Sequence, residues 1–269
     1  MRDLSSKLLS NEEVAEDFFL ARLHNPEIAE SAVPGQFLQI RVTERFSPFL
    51  RIPLSISGVD PPQGVIEVLY EAMGPKSRAL ASVAPGVHLD CLGPLGCGFD
   101  PPEGSRILLV GGGIGVPPLL FLGGQRRLRG SEVLLLVGAR KAAKLLPDEL
   151  LNRAADQVRV ATDDGSRGHS GLVTDLLEQE LEVSPYSVVC TCGPHPMMAK
   201  VSAICEESQV ACQASLEEYM ACGFGVCVGC VVEVKAGSGA ALSDYGKYSR
   251  VCIDGPVFDA RRVCWERPW

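Results

Sequence analysis

The residues with the clearest chemistry stand in Glu217-Glu-Tyr-Met-Ala-Cys-Gly-Phe-Gly-Val-Cys-Val-Gly-Cys230. Cys222 and Cys227 are separated by four residues and Cys227 and Cys230 by two, while Cys252 follows in Arg250-Val-Cys-Ile-Asp-Gly-Pro256. This C-x4-C-x2-C…C order is the spacing of plant-type [2Fe–2S] sites, whose ligands are thiolates. A short loop must wrap four thiolates around a compact inorganic core with its amides turned toward the sulfurs. Gly223, Gly225 and Gly229 permit the dihedrals and close approach this requires. Two other chemistries compete. Structural zinc ribbons use two C-x2-C knuckles, whereas this segment has one. A dithiol redox pair would need a strand–helix setting that the flanking residues lack.

A second set of residues points to a nucleotide. Arg106-Ile-Leu-Leu-Val110 is an apolar run that breaks into Gly111-Gly-Gly-Ile-Gly-Val-Pro-Pro118 before helical spacing resumes at Leu119, Leu120 and Leu122. A strand ending in glycines ahead of a helix lets the backbone approach a pyrophosphate, here through Gly111, Gly112, Gly113 and Gly115. The pattern is not a strict G-x-G-x-x-G, and such turns also occur without a ligand. Strands at 132–137, 158–161 and 187–190 alternate with helices reaching 150 and spanning 173–180. That order predicts right-handed crossovers and a doubly wound parallel sheet. Its carboxyl edge would gather Gly111–Gly115, Thr162-Asp-Asp-Gly165 and Cys192-Gly-Pro-His-Pro-Met197, the place where such sheets bind ligands. Asp163 or Asp164 could accept from the ribose hydroxyls of NAD and would repel the extra phosphate of NADP; either could instead close the turn at Gly165.

These residues require positioning elements upstream. Between Glu13 and Glu71, strands at 17–22, 36–42, 54–58 and 64–70 alternate with Pro/Gly punctuation, which predicts a small antiparallel β-barrel. In Leu50-Arg-Ile-Pro-Leu-Ser-Ile56, Arg51 could pair with a phosphate and Ser55 could donate to a flavin ring edge. Gly74-Pro-Lys-Ser-Arg78 opens a helix whose first amides, with Ser77, could hold a pyrophosphate. Arg51, Lys76 and Arg78 could equally be solvated surface cations.

The 269 residues suffice for two domains and a small third. A net charge of −8 argues against a nucleic-acid binder. The acidic start and the lack of a long apolar run predict neither a signal peptide nor a membrane span. Eleven cysteines without such a signal read as reduced thiols and metal ligands in the cytoplasm. Cys91, Cys97, Cys190, Cys205, Cys212 and Cys264 read as small buried hydrophobes. The four histidines, His24, His88, His169 and His195, show no ligand or triad spacing.

Barrel, nucleotide sheet and cysteine tail in this order resemble the ferredoxin-reductase-like flavoproteins that end in a [2Fe–2S] domain. More narrowly, the chain resembles the electron-transfer subunits of class 1B dihydroorotate dehydrogenases. The resemblance rests on Arg51 to Ser55, Gly93-Pro-Leu-Gly96, Gly111 to Pro118, Asp163-Asp-Gly-Ser166, Cys192-Gly-Pro194, Met220 to Cys230 and Val251-Cys-Ile-Asp-Gly-Pro-Val-Phe258. It implies residues 1–101 as an FAD-binding barrel, 102–212 as an NAD-binding α/β domain and 213–269 as a [2Fe–2S] domain. It implies an NAD-linked iron-sulfur flavoprotein oxidoreductase working in de novo pyrimidine (UMP) biosynthesis. The implied partner is an FMN-containing catalytic subunit that oxidises dihydroorotate, in a heterotetramer with two copies of each chain. By this resemblance Arg51, Leu54 and Ser55 hold the flavin. Gly74 and Ser77, with a charge from Lys76, hold its pyrophosphate. Gly111, Gly112, Gly113 and Gly115 hold the nucleotide, Cys192 is the catalytic residue and with Gly193 and Pro194 flanks the nicotinamide, and Cys222, Cys227, Cys230 and Cys252 ligate the cluster. The sequence departs from the family at Ile52, where an arginine is usual, and at Gly74-Pro-Lys-Ser77, where Gly-x-Gly-Thr is common. An NAD(P)H-ferredoxin or sulfide dehydrogenase-type subunit shares this architecture. A zinc-holding or redox-sensing module without flavin is the alternative of another class.

Overall fold

The computed structural model describes residues 2–42, 49–235 and 246–266. The chain begins with a closed antiparallel barrel of β1 (Arg2–Ala15), β2 (Phe18–His24), β3 (Phe37–Arg41), β4 (Ile52–Asp60), β5 (Val65–Glu71) and β6 (His88–Leu95), in the order β1-β2-β5-β4-β3-β6. α1 (Pro26–Ser31) follows β2, and α2 (Pro75–Ala81) lies between β5 and β6. Alternation sets the faces: Leu38, Ile40, Ile52, Ile56, Ile66 and Val68 fill the barrel, while their strand neighbours point outward. β1 was not among the strands expected from sequence. Its inward set includes polar residues, which masks the period-two signal. Ser6 is fully buried and accepts from Asn25 Nδ2 at 3.0 Å, and Asn11 accepts from the Tyr70 hydroxyl at 2.8 Å.

The second layer system is a sheet in the order β10-β9-β8-β7-β11-β12-β15. It comprises β7 (Arg106–Gly112), β8 (Glu132–Ala139), β9 (Gln157–Thr162), β10 (His169–Ser170), β11 (Val188–Cys192), β12 (Ala211–Ser215) and β15 (Val257–Asp259). The helices are α3 (Val116–Leu128), α4 (Asp148–Ala154), α5 (Val173–Val183) and α6 (His195–Glu207). Both faces are covered, which is why β7 and β8 read as unbroken apolar runs. Ile107 and Leu109 pack with Val116, Leu119 and Leu151 on one side, and Leu108 and Val110 pack with Leu176, Met198 and Val201 on the other. The chain runs outward from β7 through β8 and β9, then crosses back to β11, so the strand order reverses between β7 and β11. Such a reversal opens a crevice at the strands' carboxyl ends. The fold class expected from sequence is therefore found: barrel, doubly wound sheet and cysteine-bearing tail.

The tail contributes a hairpin of β13 (Val231–Glu233) with β14 (Tyr248–Arg250), and α7 (Val251–Asp254). It then returns β15 antiparallel to β12, pairing Ser215 with Val257. The expected boundary at 212 falls inside β12, and the tail is sewn to both lobes. A β-carbon on Gly35 would lie 2.8 Å from Val257 Cγ2, and Cys97 N–H donates to the Gly255 carbonyl at 2.6 Å. Lobe-to-lobe contact is reinforced by Phe121 of α3, which is buried in the barrel core, and by Lys144, whose ammonium meets Asp17 at 2.7 Å and Glu71 at 3.0 Å.

Candidate functional site

The four cysteines come together as two pairs. Cys227 N–H donates to Cys222 Sγ at 3.5 Å, and Cys252 N–H donates to Cys230 Sγ at 3.4 Å. Cys222 and Cys227 sit on the outer side of the loop, whereas Cys230 and Cys252 are buried. Among the described residues no group of three or more metal-ligating side chains is gathered at one point. Two pairs suit a core with two irons, each taking two thiolates. The loop is built for this by positive φ at Gly223 (79°), Gly225 (85°) and Val228 (56°). Close approach matters as well: a β-carbon on Gly225 would lie 2.6 Å from Ile253 Cδ1. Arg250 Nη1 donates to the Gly225 carbonyl at 3.2 Å and braces the loop against α7.

The loop's amides also shape its thiols. Burial alone would raise Cys222, but N–H groups of Cys227, Phe224 and Val226 outweigh it and hold the thiol down at about 7. A hydrogen bond from Cys252 leads the causes that bring Cys230 down to about 6, and the same contact holds Cys252 up. Amides turned toward sulfur favour the anionic form a metal requires.

The flavin-segment residues lie on the outer barrel face. Arg51, Pro53 and Ser55 alternate outward while Ile52 and Leu54 turn toward the core. Ile52, at the family's arginine position, is a core residue, which leaves Arg51 as the outward cation. Arg51 donates to the Asp90 carboxylate at 2.7 Å and to the Asp90 carbonyl at 2.8 Å. Lys76 Nζ donates to the Arg51 carbonyl at 2.9 Å, so two cations from separate elements share one corner, an arrangement suited to a diphosphate. Burial lowers the Lys76 ammonium. The Ser77 hydroxyl accepts from Gly74 N–H at 3.0 Å and so caps α2.

The nucleotide residues converge at the strand-order reversal. Cys192 pairs with Gly111 across β11 and β7. A β-carbon on Gly115 would lie 2.4 Å from the Cys192 carbonyl and from Gly193 Cα, so only glycine lets the two turns touch. These turns, with Pro194, Asp163 and Arg140, line a cleft of ≈ 730 Å³ whose opposite wall is Asp17, Phe18 and Ala72 to Met73 of the barrel. Asp163 faces the cleft, whereas Asp164 accepts from Ser166 N–H at 2.9 Å and closes its turn. Cys192 is buried next to Gly193, which lines the cleft. Burial, then the charge of Glu217, push its thiol well up, so it presents a neutral S–H. Glu217 was not among the expected site residues. It follows β12 directly and lines the cleft beside Cys192. Its surface is open to cleft water although protein crowds it on most sides. That crowding pushes the carboxyl up to about 7. A carboxylate just past the end of a parallel strand was the available signal.

Two of the remaining cysteines differ from expectation. Cys91, Cys190, Cys205 and Cys212 are buried, but Cys97 is exposed and Cys264 is half-buried. Cys97 sits where the barrel's last turn meets the tail, and its thiol donates to the Ile253 carbonyl at 3.3 Å.

The profile of the iron-sulfur cluster binding domain of dihydroorotate dehydrogenase B matches residues 217–264. The chain is 36% identical to the dihydroorotate dehydrogenase B (NAD(+)) electron transfer subunit of Desulforamulus reducens, over 97% of this chain and 98% of that one. It is 41% identical to the subunit of the same name from Bacillus caldolyticus, over 93% and 94%. Among solved structures, an NADH-dependent reduced ferredoxin-NADP oxidoreductase studied for flavin-based electron bifurcation superposes with a TM-score of 0.85 at 28% identity, covering 98% of this chain and 91% of that one. A cytochrome P450 reductase from Amycolatopsis shares the fold over 77% of the chain, with a TM-score of 0.65 at 22% identity.

Proposed function

The chain belongs to the family of electron-transfer subunits of NAD-dependent dihydroorotate dehydrogenase B, iron-sulfur flavoprotein oxidoreductases, and we propose how its own residues serve that role. Electrons taken from dihydroorotate by a catalytic partner reach NAD through this subunit. When bound, the [2Fe–2S] cluster supplies single-electron transfer, FAD exchanges single electrons for a hydride, and NAD accepts that hydride. Cys222, Cys227, Cys230 and Cys252 hold the cluster, with loop amides stabilising their thiolates. Arg51 and Ser55 orient the flavin on the outer barrel face, with Leu54 supporting the segment from the core side, and Gly74, Lys76 and Ser77 take its diphosphate. Gly111, Gly112, Gly113 and Gly115 admit the nucleotide backbone, Asp163 receives its ribose, and Cys192, Gly193 and Pro194 border the nicotinamide. Cys192 contributes packing and a weak S–H donor rather than a nucleophile, because its thiol stays neutral.

The observation that carries this reading is the pairing of the four thiols, three from the tail's loop and one from α7. We further propose that residues 1–101, 102–212 and 213–269 serve FAD, NAD and the cluster respectively. The partner is an FMN-containing subunit, assembled with this chain as two copies of each in the cytoplasm. Exposed Tyr219, Phe224 and Val226 beside the exposed Cys227 support a partner on that lip, since an apolar rim around an electron carrier favours docking. The test is the visible spectrum and iron content of the anaerobically purified chain. About two irons per chain with flavin bands are expected; zinc with no flavin would overturn the reading.

A further inference from the structure

We propose that Gln39 tunes the iron-sulfur cluster, donating its side-chain N–H to a cluster sulfur on the Cys222 side of the loop. The inference rests on the reading that the four cysteines hold a [2Fe–2S] core. Gln39 is fully buried, and both its Nε2 and its Oε1 lack a hydrogen-bond partner. A buried amide left so is costly, and native chains keep one where a ligand or a function satisfies it. Its direction is fixed by its strand. Leu38 and Ile40 point into the barrel, so Gln39 points out with Phe37 and pairs laterally with Pro53 on β4 and Leu92 on β6. Phe37 and Leu92 belong to the apolar seam that also contains Cys230 and Cys252. Gln39 is thus a polar group set into an apolar contact between barrel and cysteine tail. Its amide lies against Cys222's neighbour: a β-carbon on Gly223 would be 2.6 Å from Gln39 Cγ and 2.8 Å from Nε2. Pro53 stands between Arg51 and Ser55 in the flavin segment, so one side chain adjoins both expected cofactor sites.

An N–H dipole aimed at sulfur stabilises the negative charge added on reduction and raises the cluster's potential. Removing it should shift the oxidised-to-reduced equilibrium about tenfold, or about 59 mV for a one-electron couple. The experiment is an EPR-monitored redox titration of the full chain, with iron and flavin content, in wild type, Gln39→Met and Gln39→Glu. Methionine keeps the shape and removes the donor. Glutamate keeps the shape and adds negative charge. The cluster midpoint should fall by about 59 mV in the methionine variant and further in the glutamate variant, with the flavin midpoint unmoved in the methionine variant. Loss of iron from both variants with flavin retained would also support the assignment. Unchanged cluster midpoints and EPR spectra would overturn it, as would flavin and cluster midpoints moving together or both cofactors being lost. A wild-type chain without a [2Fe–2S] signal would instead overturn the cysteine reading beneath it.

Discussion

A β-carbon at Gly115 would lie 2.4 Å from backbone atoms of Cys192 and Gly193, and backbone cannot yield as a side chain can. Gly115→Ala should therefore destabilise by about 1–3 kcal/mol, and weaken NADH binding by at least about tenfold by holding the two turns apart. Thermal melts and flavin-bleaching titrations with NADH check both numbers. Cys227 is exposed, so Cys227→Ser should remove iron while leaving flavin content near wild type, as read by iron assay and absorbance. Glu217 gives a pH signature. Its carboxyl titrates near 7 when folded and near 4.5 when unfolded, so between these values the folded chain holds a proton that the unfolded chain has released. Stability contributed by this group is therefore full below 4.5, falls as pH rises through that window, and stays lower above it. Glu217→Gln should flatten this fall. Parallel melting-temperature profiles for the two proteins would rule it out. Residue-level chemistry was most legible where spacing is rigid: four thiols in a fixed order name their own ligand. Glu217 and Gln39 were hidden because single polar residues carry no spacing, and only folding brings Glu217 to Cys192 and Gln39 to Gly223.

At the scale of elements, the parallel sheet was readable because burial on both faces forces continuous apolar runs at 106–110 and 132–137. β1 was not, because Ser6 and Asn11 interrupt its alternation with satisfied polar contacts. β15 was not, because three residues carry no period, and its pairing with β12 is set by the tail's return path. That short strand ties the cysteine loop to the nucleotide sheet, and Phe258 is its anchor, buried in the core shared with Cys230 and Cys252. Phe258→Ala should cost about 3–5 kcal/mol. It should release iron more readily than flavin, because the loss falls on the tail rather than the barrel. Chelator-challenge rates for iron, set against flavin dissociation, check this. Equal rates for the two cofactors would place the anchor elsewhere.

At the scale of the molecule, three units share two seams. The cleft between barrel and sheet sets the glycine turns of the sheet against Phe18 and Ala72 to Met73 of the barrel, and the seam between barrel and tail sets the cysteine loop against Gln39 of β3. Under the proposed function the flavin stands between the cluster and the nucleotide in this order. Resemblance over nearly the whole chain made this order legible in the sequence. The seams themselves were not, since they depend on side chains far apart in the chain, such as Phe121 inside the barrel and Val257 against Gly35. The central claim is that electrons from the partner must pass the cysteine loop to reach NAD. It is tested most directly by dihydroorotate-driven NAD reduction in the complex reconstituted with the FMN-containing catalytic subunit, comparing wild type with Cys227→Ser. The variant should lose at least about a hundredfold in this rate while NADH still reduces its own flavin at the wild-type rate. Wild-type dihydroorotate-driven turnover in a variant shown to lack iron would contradict the account.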